Sequence, residues 1–191
     1  MDDRLSITDK KVLLDVARRA IVQATQDKKV DDLDLSLFSN VLCKKGASFV
    51  TLHRKDNGQL RGCIGVLEAF QILVKDVQAH AIAAALEDYR FPRVSYQEVQ
   101  NLTIEVSRLS APSKLNYANP KDLPGLLKPG VDGVIIRNGF QKATFLPQVW
   151  NQLPDPEDFL EHLCHKMGVA CDFWKKNLLN VSIYQVEEFH E

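Results

Sequence analysis

The stretch Leu60-Arg61-Gly62-Cys63-Ile64-Gly65 places two glycines inside what its surroundings mark as a β-strand. Glycine weakens a strand, and two so close together signal a bulge, a bend, or close approach by another backbone or a ligand. Upstream, Asp56-Asn57-Gly58 tolerates the positive φ angles of a tight turn, and Ala47–His53 reads as a strand. The pattern predicts a hairpin in which Leu60–Leu67 runs back antiparallel to residues 47–53. Strict alternation sends Arg61, Cys63 and Gly65 to one face, and Leu60, Gly62 and Ile64 to the other. A thiol and a guanidinium two residues apart on an interrupted strand read as a site.

The rest of the chain supplies the frame. Leu13, Val16, Ala17, Ala20, Ile21 and Ala24 recur at helical spacing and predict an amphipathic helix near 8–25, capped by Ser6 or Thr8. The charged run Asp27–Asp34 reads as a solvated linker. A second helix is predicted from Phe70 to Glu87, with Leu73, Val77, His80, Ala81, Ala84 and Ala85 facing inward and Pro92 beyond its end. Leu102–Leu109 reads as a strand with Leu102, Ile104 and Val106 on one face and Thr103, Glu105 and Ser107 on the other. Residues 110–130 carry four prolines and read as a long binding or covering loop. Val134–Arg137 and Gln141–Leu146 form a second hairpin about Asn138-Gly139. Asp155-Pro156-Glu157-Asp158 starts a helix that ends at Gly168, and Val181–Glu187 closes the chain as one strand. Hairpins separated by helices predict an α+β fold, a mainly antiparallel sheet flanked by helices with a smaller lobe. The 191 residues are expected to form a single domain, part of 110–170 making the small lobe.

Charge narrows the function. Lys and Arg number 24 against 25 Asp and Glu, a formal charge of −1, which removes the phosphate attraction of a dedicated nucleic-acid binder. A local basic surface around Arg61, Arg90 and Arg137 leaves RNA or nucleotide binding open. No apolar run approaches the roughly 18 residues of a membrane span, and Met1-Asp2-Asp3-Arg4 leads into no apolar targeting segment. Cys43, Cys63, Cys164 and Cys171 show no paired spacing, so a reducing cytoplasm is the expected setting.

Cys63 is the candidate nucleophile, or a thiol that holds a substrate covalently. Its other reading is a small buried cysteine between glycines that permit sheet packing. Two residues along a strand span about 6.6 Å, so Arg61 would favour a thiolate by about 0.6 kcal/mol in water and about 2.5 at an effective dielectric of 20. His80 is a candidate general base for Cys63, oriented by Glu105 or Asp88, or else a satisfied core histidine. His53, ending the facing strand, falls near Arg61 by hairpin register. Glu105 is a candidate base or ligand contact, or the salt-bridge partner of Arg61 or Arg90. Arg90 could grip an anion in bidentate fashion or tie down the loop before Pro92. Gly62 and Gly65 join Arg61 and Arg90 as the ligand-binding set, and no cofactor is implied. His162, Cys164, His165 and Cys171 lack the spacing of a metal site, and none is expected.

Several stretches together resemble the AMMECR domain family, which includes the AmmeMemoRadiSam system protein A of microbes. Leu60–Gly65 is similar to its hallmark, with Phe49-Val50-Thr51-Leu52 before it and Asp88-Tyr89-Arg90-Phe91-Pro92 after it. Ile104-Glu105-Val106-Ser107, Phe145-Leu146-Pro147-Gln148-Val149, Phe159-Leu160 and Lys166-Met167-Gly168 match in order. Arg93 stands where a second proline is common, and Met167 where alanine is usual. The resemblance implies an α+β domain with a smaller lobe, and a role through the cysteine or with nucleotides or RNA. It also implies a pathway shared with Memo-like and radical SAM proteins. The resulting expectation is a small-molecule or modified-nucleotide site around Arg61 and Cys63; the rival is a non-catalytic protein-binding or scaffold module.

Overall fold

The computed structural model describes residues 4–191. The chain divides into two compact units, one built from residues up to 110 plus 187–191, the other from 111–186. The first unit begins with α1 (Ile7–Ala24), whose N-terminus is closed by a reciprocal capping box between Ser6 and Asp9. Strands β1 (Lys45–Arg54), β2 (Leu60–Gly65) and β3 (Gln71–Ile72) follow, then α2 (Leu73–Leu86), the single turn α3 (Tyr96–Val99) and β4 (Leu102–Leu109). The second unit holds β5 (Ser113–Leu115), α4 (Leu123–Leu126), β6 (Gly133–Asn138), β7 (Gln141–Phe145), α5 (Pro156–Met167), α6 (Phe173–Lys176) and β8 (Asn180–Tyr184). The chain then re-enters the first sheet as β9 (Val186–His190).

The first sheet runs β2-β1-β4-β9, with β3 attached to β1. On one face Val50, Leu52, Ile104 and Val106 are fully buried in a core shared with Leu13, Ile21, Leu73, Val77 and Ala81 of the two long helices. Burying each of the large side chains stabilises the unit by roughly 1.5–3 kcal/mol. The opposite face carries Phe49, Thr51, His53, Thr103 and Glu105, all half-buried. Helix α2 starts at Leu73, three residues later than its apolar pattern suggests. Gln71 and Ile72 are drawn into pairing with Gly46 and Lys45, and the Leu73 and Val74 N–H groups donate to the carbonyls of Lys44 and Leu42. Backbone partners thus cap this helix without a side chain.

The alanines of α2 and the first glycine of the hallmark are complementary. A side chain at Gly62 would meet the Ala84 carbonyl oxygen at 2.1 Å. The helix backbone therefore lies against the strand as closely as hydrogen permits. Gly65 is covered on the other face by the Phe49 ring, 2.4 Å from where a Cβ would stand.

The second unit is an antiparallel sheet of order β5-β8-β6-β7 with its own core. Trp150 stacks on Phe159 at 3.7 Å between centroids, and Phe145 meets Phe159 edge-on at 5.2 Å. Phe145 and Phe159 of the family-like stretches thus join Trp150 in its aromatic core. Asp155 caps α5 through the Glu157 and Asp158 N–H groups, and Gly168 ends it at φ 84°. The proline-rich segment is not structureless: it contains β5 and α4.

The α+β class and the antiparallel pairing hold. The final strand differs: it is two, β8 in the second sheet and β9 in the first, parted at Gln185. Val181 is buried in one core and Phe189 in the other, so the closing segment serves two sheets.

Because the Ala84 carbonyl is backbone and cannot rotate away, Gly62→Ala is expected to cost about 3 kcal/mol, the upper end for overpacking. A lowered urea midpoint with unchanged slope measures this; a stable variant would mean the helix can move off the strand.

Candidate functional site

Cys63 sits on an edge strand, and the pairing register decides what surrounds it. Phe49, Val50, Thr51 and Leu52 pair with Gly65, Ile64, Cys63 and Gly62, but His53 pairs with Leu60. Arg61 is the extra residue of a β-bulge, so strict alternation fails there. Its guanidinium leaves the thiol and forms a bidentate pair with Glu98 of α3, Nε to Oε1 at 2.6 Å and Nη2 to Oε2 at 3.0 Å. At 4% exposure, with Glu98 as its counter-ion, Arg61 is not the charge partner expected for Cys63.

A different pair holds the cysteine. The N–H of Cys63 points outward from the sheet edge and donates to Asp88 Oδ2 at 2.8 Å. Arg90 Nη2 donates to the Cys63 carbonyl at 3.2 Å, while its Nε and Nη2 bind Asp88 Oδ1 and Oδ2 at 2.9 and 2.6 Å. The two side chains thus occupy the place of a neighbouring strand. The Arg90 guanidinium, opposed by burial and helped by the Cys63 N–H, holds the Asp88 carboxyl far below the usual carboxylate range. The same pairing raises Arg90. Phe91 lies beside both arginines, 6.0 Å from Arg61 and 5.5 Å from Arg90, at cation–π distance. Residues 60–65 and 88–92 are therefore one interlocked unit.

The thiol faces the half-buried side of the sheet. Thr51 Oγ1 donates to Cys63 Sγ at 3.3 Å, and Thr51 is also the register partner of Glu105. Cys63, Thr51 and Glu105 form one row across β2, β1 and β4. Burial pushes the Glu105 carboxyl up and Glu188 adds to the effect, while His53 and His190 oppose it. His53 Nε2 stands 3.8 Å from Glu105 Oε2.

Of the residues expected at the site, the fold brings Cys63 and Glu105 together with His53, and sets Arg90 at the rim with a side chain 44% exposed. His80 is placed elsewhere. It belongs to α2, which packs on the face occupied by Gly62 and Leu52, so the sheet separates it from the sulfur. Its ring lies 3.1 Å from Asp76, itself buried and bonded to Ser48 at 2.7 Å. Gly62 and Gly65 are covered by Ala84 and Phe49, and Glu105 pairs with neither Arg61 nor Arg90, which bind Glu98 and Asp88. Sequence reasoning missed Thr51 and Glu98; hairpin register could have placed Thr51 opposite Cys63, whereas nothing local marks Glu98. Among the described residues no three His, Cys, Asp or Glu side chains group to hold a metal, and no helix is long and apolar enough to cross a membrane.

An α+β protein with this hallmark hairpin and its arginine–aspartate clamp defines a recognisable class. The family model AMMECR1 matches residues 14–189, and the chain belongs to that family. A protein of Methanothermobacter thermautotrophicus is 36% identical over 192 residues, covering 98% of this chain and 96% of its own. One from Methanocaldococcus jannaschii is 34% identical over 180 residues, 92% of this chain and 86% of its own. The crystal structure of an uncharacterized protein from Pyrococcus horikoshii aligns with a TM-score of 0.77 at 33% identity, covering 98% of this chain and 93% of that one.

Asp88→Asn keeps one acceptor oxygen but removes the charge and sets an NH2 donor against Arg90 or the Cys63 N–H. Asp88→Asn is expected to cost about 1–3 kcal/mol near neutrality. A depressed carboxylate stabilises the fold fully above its unfolded value near 3.9 and loses that contribution as pH falls through the lower folded value. The gap in urea midpoint between wild type and Asp88→Asn should therefore be constant from pH 7 to about 5 and narrow below about 4; a gap independent of pH would mean the charge contributes nothing.

Proposed function

We propose that the half-buried face of the first sheet handles a small carbonyl-bearing substrate, with Cys63 as nucleophile and Glu105 as the proton carrier. The observation that carries this reading is the row Cys63–Thr51–Glu105, in which a hydroxyl contacts the sulfur and lies opposite a carboxyl with a raised pKa. Cys63 and Glu105 are two strands apart, roughly 9.6 Å between backbones, which leaves room for a small molecule between the side chains.

In the proposed step the Thr51 hydroxyl turns its proton from Cys63 to the Glu105 carboxylate and takes up the thiol proton, so that the proton reaches Glu105 through Thr51. The sulfur then forms a bond to the carbonyl carbon. The C=O π pair moves to oxygen, which takes the proton back from Glu105, giving a hemithioacetal with atoms and charge balanced. Arg90, at the rim, suits a substrate that also carries a carboxylate or phosphate, a modified nucleotide included. A reducing cytoplasm, where the four thiols remain free, and a pathway shared with Memo-like and radical SAM proteins belong to the same proposal.

The test is the rate of Cys63 alkylation by iodoacetamide, followed by mass spectrometry so that Cys43 and Cys171 act as internal references. Cys63 should react faster than in the urea-unfolded chain at pH 7. Glu105→Gln should slow it about tenfold, the low end for loss of a general base, without changing the other thiols. A Cys63 rate equal to that of the unfolded chain, or unaltered by Glu105→Gln, overturns the catalytic reading.

One observation favours a second reading, a binding or scaffold module: the clamp grips the Cys63 backbone and makes no use of its sulfur. In that case Cys63→Ser would keep cellular function.

A further inference from the structure

A surface groove of about 410 Å³ lies on the first unit, between α1 and the segment 31–38, remote in sequence from the hallmark strand. Its floor is apolar: Val16 and Ala20 are buried, and Val12, Leu33 and Phe38 half-buried. Leu37, lining it, is 79% exposed. Its lining positions on α1 run from Val12 to Gln23, roughly 16 Å at 1.5 Å per residue, or three helical turns.

The rim is acidic. Asp15, Asp31, Asp32 and Asp34 line the groove, with Arg19 the one cationic side chain among the lining residues. These carboxylates are poorly neutralised. Asp31 accepts from the neutral amide of Gln23, Asp34 from Ser36, and Asp32 has only Lys29 at 3.8 Å with both side chains more than 85% exposed. Such an exposed pair is worth little. The loop is nevertheless fixed in place. Gln23 accepts the Asp31 N–H, Gln78 of α2 donates to the Asp31 carbonyl, and Asp34 caps the short turn Leu35–Leu37.

A preformed apolar trough three turns long with a carboxylate rim matches the helix-in-groove mode of recognition. We propose that it docks a basic amphipathic helix of a partner protein, with apolar side chains on Val12, Leu37 and Phe38 and Lys or Arg side chains against Asp15, Asp31, Asp32 and Asp34. The rim repels anionic lipid headgroups and acidic segments alike.

The probe is a fluorescein-labelled helical peptide with a leucine face and lysine flanks, with a leucine–glutamate peptide of the same length as control. Anisotropy should show saturable binding of the lysine peptide and none of the control. Amide shifts in the ¹⁵N-labelled protein should concentrate on α1 and residues 31–38. Leu37→Ser and the double variant Asp31→Lys/Asp32→Lys alter exposed positions, so the fold survives them, and each should weaken binding at least tenfold. Unchanged affinity in both variants, shifts centred elsewhere, or equal binding of the glutamate peptide would overturn the proposal. So would concentration-dependent dimerisation of the protein alone that Leu37→Ser abolishes, which would assign the groove to a second copy of the chain.

Discussion

The peptide group of Cys63 is held from outside the sheet, and the arrangement of the hallmark region depends on it. An edge strand presents unpaired N–H and C=O groups that must find partners or solvent. Here Asp88 takes the N–H and Arg90 supplies a donor to the carbonyl, while the two side chains bind each other. The clamp completes the hydrogen bonding of the Cys63 peptide groups and leaves no open backbone pair at that position for another chain. It also fixes the segment after α2, which brings Phe91 beside Arg61 and Arg90.

Four residues of the hallmark thereby acquire separate physical duties. Gly62 admits the α2 backbone, Gly65 accepts the Phe49 ring, and the bulge at Arg61 delivers its guanidinium to Glu98. The Gly62 and Arg61 contacts lead away from the sulfur, whereas Phe49 over Gly65 lies on the thiol's own face. The outward peptide group of Cys63 also makes Thr51–Cys63 a pair without mutual backbone bonds, the closer of the two antiparallel spacings. Clamp and side-chain contact are therefore linked: the geometry that turns the Cys63 backbone towards Asp88 brings Thr51 and the thiol within 3.3 Å.

Much of this was legible in the sequence because it is local. The Asn-Gly turn, the hairpin, the 102–109 strand with its polar Glu105 face, and the Asp155 cap all follow from neighbours within a few residues. The places where sequence reasoning failed are those set by tertiary partners. The two glycines signal a bulge or a close approach, but strict alternation does not show that the bulge falls at Arg61 and so puts it beside Cys63. Helical periodicity correctly put His80 on the stripe of α2, but periodicity does not say which face of a sheet a helix covers. The strand read over Val181–Glu187 divides at Gln185 between two sheets, since a period does not identify which core a side chain enters. Asp76 was hidden for a related reason: it lies on the buried side of α2, where Ser48 of β1, Gln71 and His80 make a carboxylate tolerable.

The separation of duties bears on why a thiol stands at position 63. The clamp holds the residue through its backbone, and a serine or an alanine would present the same N–H and carbonyl to Asp88 and Arg90. Packing does not require sulfur either, because Cys63 is only half-buried and its near neighbour on the sheet face is a hydroxyl. By contrast Gly62, Asp88 and Arg61 are each required by a partner that no substitute would satisfy. A clamped backbone that leaves the thiol, among the described residues, only the Thr51 hydroxyl as hydrogen-bond partner is the arrangement a reactive group needs. That contrast supports assigning the sulfur to the sheet face and the rest of the hallmark to the scaffold that presents it.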